Sequence, residues 1–391
     1  MIQERHNTYM KKSYDIVIIG GGIIGCSVAF ELAKRGRGDV LVIEKGYLTS
    51  GATGRCGAGI RQQWGSVINA TLAFESTGIF ENLEEYTGYS GDCGLNQGGY
   101  LLLAYTEKEW EQFHKNLEVQ HSVGIDSYAV DLDGIKEIVP HINTEDLYGA
   151  TFCAKDGHAD PFHCTYAYAK GARRMGVDIE TYTTVTGLVV ENGRIDTVQT
   201  SKGDVKANVV LNCTGGHAAI MASKVGDELP IFPERHQILI TEPVEHIMDP
   251  MVMTFHRHFY VQQTPHGSVI MGIGDPTEPV SLNTRPSWQF LEFCSHLITQ
   301  TLPVFRDLRV VRQWAGLYDM SPDRYPIINH AKQAEGFYTV AGLSGHGFMI
   351  APRLSMLLAN HLTGQSDGLD INLFSAERYS KGELLLEPSV V

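Results

Sequence analysis

The sequence lacks the features of secreted and membrane-spanning proteins. Its seven cysteines are odd in number, scattered and never arranged as C-x-x-C, which argues against a disulfide framework, a zinc site and an iron–sulfur cluster. The opening MIQERHNTYMKKSYD has no apolar signal-peptide core, and no apolar run reaches the ~20 residues of a membrane span. We therefore expect a soluble, cytoplasmic protein without a membrane span.

Basic residues are also in short supply. The 391 residues include 31 Lys and Arg against 45 Asp and Glu, which gives a formal net charge of −14. This balance disfavours nucleic acids and anionic membranes as partners, so an anionic ligand would need a local basic residue. A hydrophobic share of 43% and 41 glycines suit a globular protein with a nucleotide-binding fold, and the length predicts two domains.

The start of the chain predicts a strand–helix–strand unit that binds a dinucleotide. Residues 15–19 and 40–44 are short apolar runs typical of buried parallel strands, and the segment between them is typical of a helix. GGGIIG (20–25) satisfies G-x-G-x-x-G at the turn into that helix, where backbone N–H groups can approach a pyrophosphate. Glu44 would accept hydrogen bonds from the adenosine ribose hydroxyls, and its carboxylate argues against a 2′-phosphate nucleotide.

NAD and FAD share this fingerprint, but three later segments favour FAD. Residues 50–59 are too glycine-rich for a regular element, and we expect them to wrap around a ligand. Residues 209–216 predict a buried strand that ends in small residues close to the adenosine. Residues 342–348 precede a helix and can direct backbone N–H groups at the flavin edge where charge accumulates on reduction.

At these segments the sequence resembles the D-amino-acid-oxidase-like family of FAD enzymes, which includes glycine oxidase, sarcosine oxidase and the β subunit of dye-linked L-proline dehydrogenase. The resemblance covers nearly the whole chain. The motifs that carry it, in chain order, are GGGIIG with Glu44, GIRQQWG (59–65), DGHADPF (156–162), WAGLYDMSPDRYPIIN (314–329) and AGLSGHGFMIAP (341–352).

The resemblance implies an α/β fold, α+β overall, in which a Rossmann-like FAD-binding domain lies beside a substrate domain built on an antiparallel sheet. We assign residues 13–85, 150–225 and 310–375 to the FAD-binding domain, and residues 86–149 and 226–309 to the substrate-binding domain. Local patterns predict a helix over residues 67–86, a hairpin turn at Asn192-Gly193, and a charged tail from about Ser375.

The resemblance also implies a reaction and four catalytic residues. Members of the family transfer a hydride from the carbon that bears nitrogen to flavin N5, after which the imine is hydrolysed or released. We expect this oxidation for a small amino acid that is a secondary amine, such as L-proline or sarcosine. Arg61 matches the carboxylate-binding arginine of the sarcosine oxidase pattern, Tyr260 a carboxylate-holding tyrosine of glycine oxidase, and His258 a histidine of the proline dehydrogenase pattern. His346 would hydrogen-bond the cofactor or stay neutral beside the bound amine.

Each of these residues also has a structural alternative. Arg61 could be a solvated loop arginine, Tyr260 and His258 ordinary strand residues, and His346 a helix cap. His256 and His258 lie two apart on a predicted strand and would face the same side. No third ligand stands out, so no metal site is predicted.

The FAD is expected to bind noncovalently, because Gly316 stands where monomeric sarcosine oxidase attaches its flavin to a cysteine. The residues expected at the cofactor are Gly20, Gly22, Ile23, Ile24, Gly25, Glu44, Lys45, Ser50, Gly51, Ala52, Thr53, Gly57, Gly59, Thr214, Gly215, Gly316, Gly342, Gly345, His346, Gly347, Phe348 and Met349.

Further positions depart from the family pattern, and the last of them favours a dehydrogenase over an oxidase. Tyr318 stands where glycine oxidase has an arginine, and Met349 stands where monomeric sarcosine oxidase has a lysine. Residues 269–272 also lack the lysine that promotes reaction with oxygen in sarcosine oxidase. We therefore expect electrons to pass to a partner subunit or another acceptor, and we expect an oligomer.

Three alternatives stay open. The protein could be a glycine-oxidase-type oxidase that produces hydrogen peroxide, or an FAD-dependent 2-hydroxy-acid dehydrogenase. It could also be a flavin-bearing electron-transfer subunit without a substrate of its own. Arg61, Tyr260 and His258 count against the last alternative, because such a subunit needs no carboxylate clamp.

Overall fold

The computed structural model describes residues 10–388, and these form two large sheets flanked by helices. The polar opening segment, for which no signal peptide is predicted, lies largely outside the described residues. The strands are β1 Ser13–Ile19, β2 Val40–Ile43, β3 Gly59–Ile60, β4 Tyr100–Ala104, β5 Ser127–Val130, β6 Gly149–Cys153, β7 Gly157–His158, β8 Asp178–Glu180, β9 Val185–Glu191, β10 Arg194–Thr200, β11 Val205–Asn212, β12 Phe232–Pro243, β13 Met251–Thr254, β14 Phe259–Gln263, β15 Ser268–Ile273, β16 Val310–Met320, β17 Ile327–His330 and β18 Phe337–Ala341.

Helices pack against both sheets. They are α1 Ile23–Lys34, α2 Val67–Phe80, α3 Leu83–Thr87, α4 Glu107–Val123, α5 Leu132–Ile138, α6 Pro161–Arg174, α7 Ala218–Ser223, α8 Trp288–Thr301, α9 Gly347–Leu362 and α10 Glu377–Lys381. Within residues 10–388, no helix combines the length and apolar character needed to cross a membrane.

The first sheet confirms the predicted Rossmann-like arrangement. Its order is β17-β18-β11-β1-β2-β8, and the strands from β18 to β8 are parallel. The carboxyl ends of β11, β1 and β2 therefore meet at one edge, where nucleotides bind in such sheets. The β9–β10 hairpin extends the sheet beyond β11, and its turn residues Asn192 and Gly193 have φ angles of 52° and 78°, as a type I′ turn requires.

The start of helix α1 is in close contact with the turn that follows β1. The helix is buried along almost its whole length because α6 and α9 pack on it. The close start depends on two glycines. Gly20 adopts a φ of +116°, and a Cβ on Gly25 would lie 1.9 Å from the Gly20 carbonyl oxygen. The first and last glycines of GGGIIG thus serve the backbone geometry that the motif predicts.

The second sheet runs in the order β16-β12-β15-β14-β13-β4-β6-β5 and buries a separate apolar core with α8. Its pairs are antiparallel, as expected, except that β13 and β4 are parallel. The strands β6 and β16 belong to this sheet, although most of β6 and all of β16 fall in ranges that the sequence patterns place in the FAD-binding domain. The domain division itself stays a prediction.

Several local expectations differ from the structure. The helix expected over residues 67–86 is divided into α2 and α3 at residues 81–82. The expected charged tail is not a solvated segment, because Arg378 and Glu387 are both buried in it. His256 and His258 do not lie on a strand, because the chain turns over between β13 and β14 at residues 255–258.

Candidate active site

A cavity of about 600 Å³ lies at the edge where the parallel strands of the first sheet end. It is bordered by the first turn of α1, by the glycine-rich segment after β2, and by the loop that leads into α9. The predicted cofactor residues that line it are Gly20, Gly22, Ile23, Ile24, Glu44, Lys45, Ser50, Gly51, Ala52, Thr53, Thr214, Gly215, Gly345, Gly347 and Phe348.

The other predicted cofactor residues do not border this cavity, and several of them make room for a neighbouring group. A Cβ on Gly57 would lie 3.0 Å from the Tyr260 ring, one on Gly316 would lie 3.1 Å from the Arg55 side chain, and one on Gly59 would lie 1.9 Å from the Tyr100 hydroxyl. The residues in this group are Gly25, Gly57, Gly59, Gly316, Gly342, His346 and Met349.

Glu44 ties the glycine turn to the loop after β2. Its Oε2 accepts a hydrogen bond from the Gly21 backbone N–H at 2.8 Å, and its Oε1 accepts from the Gly46 N–H at 2.7 Å and the Ser50 hydroxyl at 3.1 Å. A carboxylate has about four acceptor positions, so one is left for a ribose hydroxyl.

Basic side chains that the motifs do not reveal also line the cavity. Arg55 donates to the backbone carbonyls of Ser50 and Ala315, and the Lys45 amine lies 3.2 Å from His217 Nε2. Lys224 borders the same space. Positive charge, the N-terminus of α1 and the Glu44 carboxylate together fit an anionic dinucleotide such as FAD. Lys45 was among the predicted cofactor residues, whereas Arg55 and Lys224 were missed because no motif marks them.

Arg61 occupies an unusual environment beyond the glycine-rich segment. It is only 3% exposed, and its guanidinium lies 3.9 Å from the centre of the Trp64 ring and 5.3 Å from that of Phe255. Its Nη1 donates to the Gln63 carbonyl at 2.5 Å. No carboxylate among residues 10–388 forms an ion pair with it, and burial lowers the pKa of Arg61 from its usual range. The structure therefore rejects the solvated-loop alternative for Arg61.

His346 lies on the other side of Trp64, with ring centres 4.9 Å apart. Its Nε2 is buried and has no hydrogen-bond partner within the described residues. Burial lowers the pKa of His346 to about 4, and the Arg61 charge acts in the same direction. Because the ring also hydrogen-bonds the Ser344 backbone, the neutral imidazole presents Nε2 as an open acceptor.

Three tyrosines lie in this part of the protein, of which Tyr100 is buried and Tyr260 and Tyr318 are partly buried. The Tyr260 ring packs between Gly57 and Gly272, and it belongs to the same apolar cluster as Tyr100 and Phe255. Tyr318 borders the cavity and stacks on His236 with ring centres 3.6 Å apart. Burial raises the pKa of all three tyrosines, so they are neutral hydrogen-bond donors.

His258 stands apart from these groups. It is exposed, sits in the turn between β13 and β14, and has a φ of 52°. His256 is also exposed and stacks on Tyr105 with ring centres 5.5 Å apart. The prediction that these histidines share a strand face is wrong because both are turn residues. Across residues 10–388, no group of His, Cys, Asp and Glu side chains could hold a metal ion.

The structure thus brings Arg61, His346 and Trp64 together, with Tyr260 nearby, and leaves His258 at the surface.

Sequence reasoning missed Asp319, a buried carboxylate at the cavity that accepts from the Leu343 N–H at 3.2 Å. Burial raises the pKa of Asp319 to about 6. The only available signal was its place in the WAGLYDMSPDRYPIIN motif.

Known proteins share this architecture over almost the whole chain. The protein-family model DAO, described as FAD dependent oxidoreductase, matches residues 15–361. A sarcosine oxidase subunit beta from Arthrobacter sp is 32% identical over 97% of this chain and 95% of that protein. The crystal structure of L-proline dehydrogenase from P. horikoshii is 36% identical, with a TM-score of 0.90 over 96% of this chain and 100% of that chain. Glycine oxidase from Bacillus cereus is 26% identical, with a TM-score of 0.79 over 93% and 97% of the two chains.

Proposed function

The chain belongs to the DAO family of FAD-dependent oxidoreductases, and on this premise we propose that it oxidises the carbon–nitrogen bond of a small amino acid, a secondary amine such as L-proline or sarcosine. FAD, when bound in the cavity, supplies the hydride acceptor. The names of the two relatives, sarcosine oxidase subunit beta and L-proline dehydrogenase, support an amino-acid substrate. The observation that carries the proposal is the buried guanidinium of Arg61, which forms no ion pair within residues 10–388.

The cavity residues would hold the cofactor without a covalent bond. The backbone N–H groups of the glycine turn and the first turn of α1 would receive the pyrophosphate. Glu44 would accept from the ribose, and the backbone of Gly345 to Phe348 would border the flavin. Gly316 provides no nucleophile for a covalent link, which supports noncovalent binding.

Arg61 would bind the substrate carboxylate. A buried cation without a direct ion-pair partner is costly, and a bidentate carboxylate both neutralises it and fills its planar set of donors. The Trp64 and Phe255 rings leave the guanidinium little water to bind, so a carboxylate that enters the site meets an undersolvated cation. The substrate would therefore be held by its acid group, with its amine directed elsewhere.

His346 would receive that amine. The depressed pKa keeps the imidazole neutral at pH 7, and its open Nε2 can accept one N–H from the substrate. A neutral acceptor beside the Arg61 cation favours the neutral amine over the ammonium form. The neutral amine is the form that can lose a hydride. A secondary amine in its neutral form has one N–H and matches this single acceptor.

The remaining predicted residues take supporting roles in the proposal. The neutral hydroxyl of Tyr260 would donate a hydrogen bond to the substrate carboxylate. Tyr100 lies in the same apolar cluster. His258, in its exposed turn, would contact the substrate only at the rim of the site.

We also propose a dehydrogenase that delivers electrons to a partner. The named subunit beta among its relatives supports a partner subunit, and the free thiols of all seven cysteines suit a reducing cytoplasm. The likeness to a glycine oxidase keeps an oxidase that produces hydrogen peroxide as the second candidate. Rapid peroxide formation during turnover in air would favour that candidate.

The first test is anaerobic mixing of the yellow holoprotein with a panel of amino acids and 2-hydroxy acids. We expect L-proline or sarcosine to bleach the flavin absorbance faster than primary amino acids do. Bleaching by a 2-hydroxy acid alone would assign the alternative hydroxy-acid reaction. No bleaching by any member of the panel would favour an electron-transfer subunit.

The second test removes the proposed anchor. We expect Arg61→Ala to lower kcat/KM for the best amino acid at least about tenfold, or about 1.4 kcal/mol, with FAD still bound. Arg306→Ala removes an exposed arginine and serves as the matched control. If the two variants have the same kinetics, Arg61 does not bind the substrate.

A further inference from the structure

The backbone turn that carries Arg61 is held by two buried carboxylates, neither of which touches the guanidinium. They are Asp156, which follows β6, and Glu387, from the segment after α10 (residues 383–388). Asp156 is fully buried and Glu387 is 4% exposed. They come from distant parts of the chain and reach the Arg61 turn (residues 61–66) from different sides.

Asp156 holds the middle of the turn. Its Oδ1 accepts from the Gln62 backbone N–H at 2.8 Å and from Gln62 Nε2 at 3.2 Å, and its Oδ2 accepts from Gln63 Nε2 at 3.0 Å. Gln63 in turn provides the carbonyl that receives the Arg61 side chain. The position of Arg61 thus depends on Asp156 through its two neighbours in sequence.

Glu387 holds the end of the turn. Its Oε1 accepts from the Gly65 N–H at 2.8 Å, and its Oε2 accepts from the Ser66 hydroxyl at 2.7 Å and from Asn69 Nδ2 at 2.9 Å. Ser66 is the N-cap of α2, so the carboxylate lies where the helix N-terminus favours negative charge. Tyr325 fastens the same segment, because its hydroxyl contacts both the Ser66 hydroxyl and the Leu386 carbonyl.

We propose that Asp156 and Glu387 are positioning residues for Arg61, which place its turn and supply negative charge at a distance while leaving the guanidinium open for a substrate carboxylate. A carboxylate in direct contact with Arg61 would compete with the substrate for the same donors. Two carboxylates bound to the backbone and neighbouring side chains instead offset the buried positive charge without occupying them. This inference rests on the proposed function, because it assumes that Arg61 is the anchor.

The electrostatics of the site agree with this geometry. The charges of Glu387 and Asp156 both raise the pKa of Arg61, against the larger lowering by burial. Glu387 also raises the pKa of His346, although burial and Arg61 lower it further. Both carboxylates therefore act on the groups that are proposed to meet the substrate.

The test uses the holoenzyme and the amino acid that bleaches it best. Glu387→Gln and Asp156→Asn remove each charge and keep the side-chain shape. Rapid anaerobic mixing separates the dissociation constant of the amino acid from the limiting rate of flavin reduction. We expect each variant to raise the dissociation constant about fivefold or more, while the limiting rate changes less than about twofold. Glu383→Gln, an exposed carboxylate in the same segment, is the matched control and should behave as wild type.

The outcomes separate the two proposals. Wild-type dissociation constants in both variants, together with weakened binding in Arg61→Ala, would overturn the positioning role and leave the anchor intact. Unchanged binding in Arg61→Ala would contradict the proposed function itself. Loss of bound FAD from both variants would assign the carboxylates to folding and would also overturn the inference. Rescue of binding in Glu387→Asp would support a role for the charge.

Discussion

At the scale of single residues, the site is governed by one buried positive charge. Arg61 is enclosed by aromatic rings, and its charge helps to keep the neighbouring His346 neutral. In the proposed function the two residues divide the recognition of an amino acid between them: the cation would bind the acid group and the neutral imidazole would accept from the amine. Neither role follows from residue type alone, because an exposed arginine or histidine would do neither.

We expect Asp156 to make substrate binding depend on pH. Burial raises the pKa of its carboxyl to about 6, against the hydrogen bonds from Gln63 and Gln62 and the charge of Arg61. Protonation of the Asp156 carboxylate removes the negative charge near Arg61. It also turns a hydrogen-bond acceptor into a donor that faces amide N–H groups. We expect the dissociation constant of the amino acid to rise as pH falls through about 6, measured by anaerobic titration.

The Asp156→Asn variant assigns that pH dependence. The groups that face Asp156 are the Arg61 guanidinium, the Cys153 thiol and the Tyr100 hydroxyl, and burial raises the pKa of the last two well above neutrality. None of the three changes charge near pH 6. The inflection should therefore vanish in Asp156→Asn, and an unchanged inflection would assign it to another group.

At the scale of elements, the start of α1 against β1 determines whether the cavity forms. The Cβ of an alanine at position 25 would collide with the backbone oxygen of Gly20, which cannot swing aside as a side chain can. We expect Gly25→Ala to lower the free energy of unfolding by about 1–3 kcal/mol and to reduce the FAD bound per protein. Urea denaturation and the ratio of flavin to protein absorbance measure the two effects.

Gly78→Ala is the matched control for this variant. Gly78 lies in α2, is exposed, and has open space where a Cβ would be added. The substitution should raise the free energy of unfolding by about 0.5–1 kcal/mol, because alanine is the better helix former. If Gly25→Ala behaves like Gly78→Ala, the contact between α1 and β1 does not control the cavity.

Element prediction succeeded where the pattern was local. The β1–α1–β2 unit and the Asn192-Gly193 hairpin follow from short-range periodicity and turn chemistry. The turn that contains His256 and His258 could not be foreseen, because residues 255–258 include no glycine, proline, asparagine or aspartate to mark it. Chain reversal there depends on the pairing of β13 with β14, which is a tertiary property.

At the scale of the whole molecule, a buried ion pair ties the last helix to the connection between the two sheets. Asp323 lies in the loop that links β16 of the second sheet to β17 of the first, and its carboxylate accepts a hydrogen bond from Arg378 of α10 at 2.7 Å. Burial acts to raise the pKa of Asp323, but the hydrogen bonds and charge of Arg378 lower this pKa overall. The pair also fastens the segment that presents Glu387.

We expect Arg378→Ala to lower the free energy of unfolding by about 3–5 kcal/mol, because it leaves a buried carboxylate without its partner. A carboxyl whose pKa is lowered by folding stabilises the protein above its unfolded pKa of about 3.9, and this stability is lost as pH falls through the folded pKa. The difference from wild type should therefore shrink in acid, measured by urea denaturation at several pH values. Lys381→Ala, which breaks an exposed ion pair with Glu377, should lower the free energy of unfolding far less, because solvent screens exposed pairs. Equal losses in the two variants would contradict the assignment.

The sequence by itself determined the dinucleotide fingerprint, the order of the main elements and the family, because these depend on residues that are close along the chain. The GGGIIG turn and the Glu44 carboxylate are specified locally and do not depend on the residues that pack around them. Only the tertiary structure decided that Arg61 is buried without an ion-pair partner among residues 10–388, that Asp156 and Glu387 hold its turn, and that Arg55 and Asp319 reach the cavity. Burial and charge pairing arise from contacts between residues as far apart as Gly65 and Glu387, and no local pattern specifies such contacts.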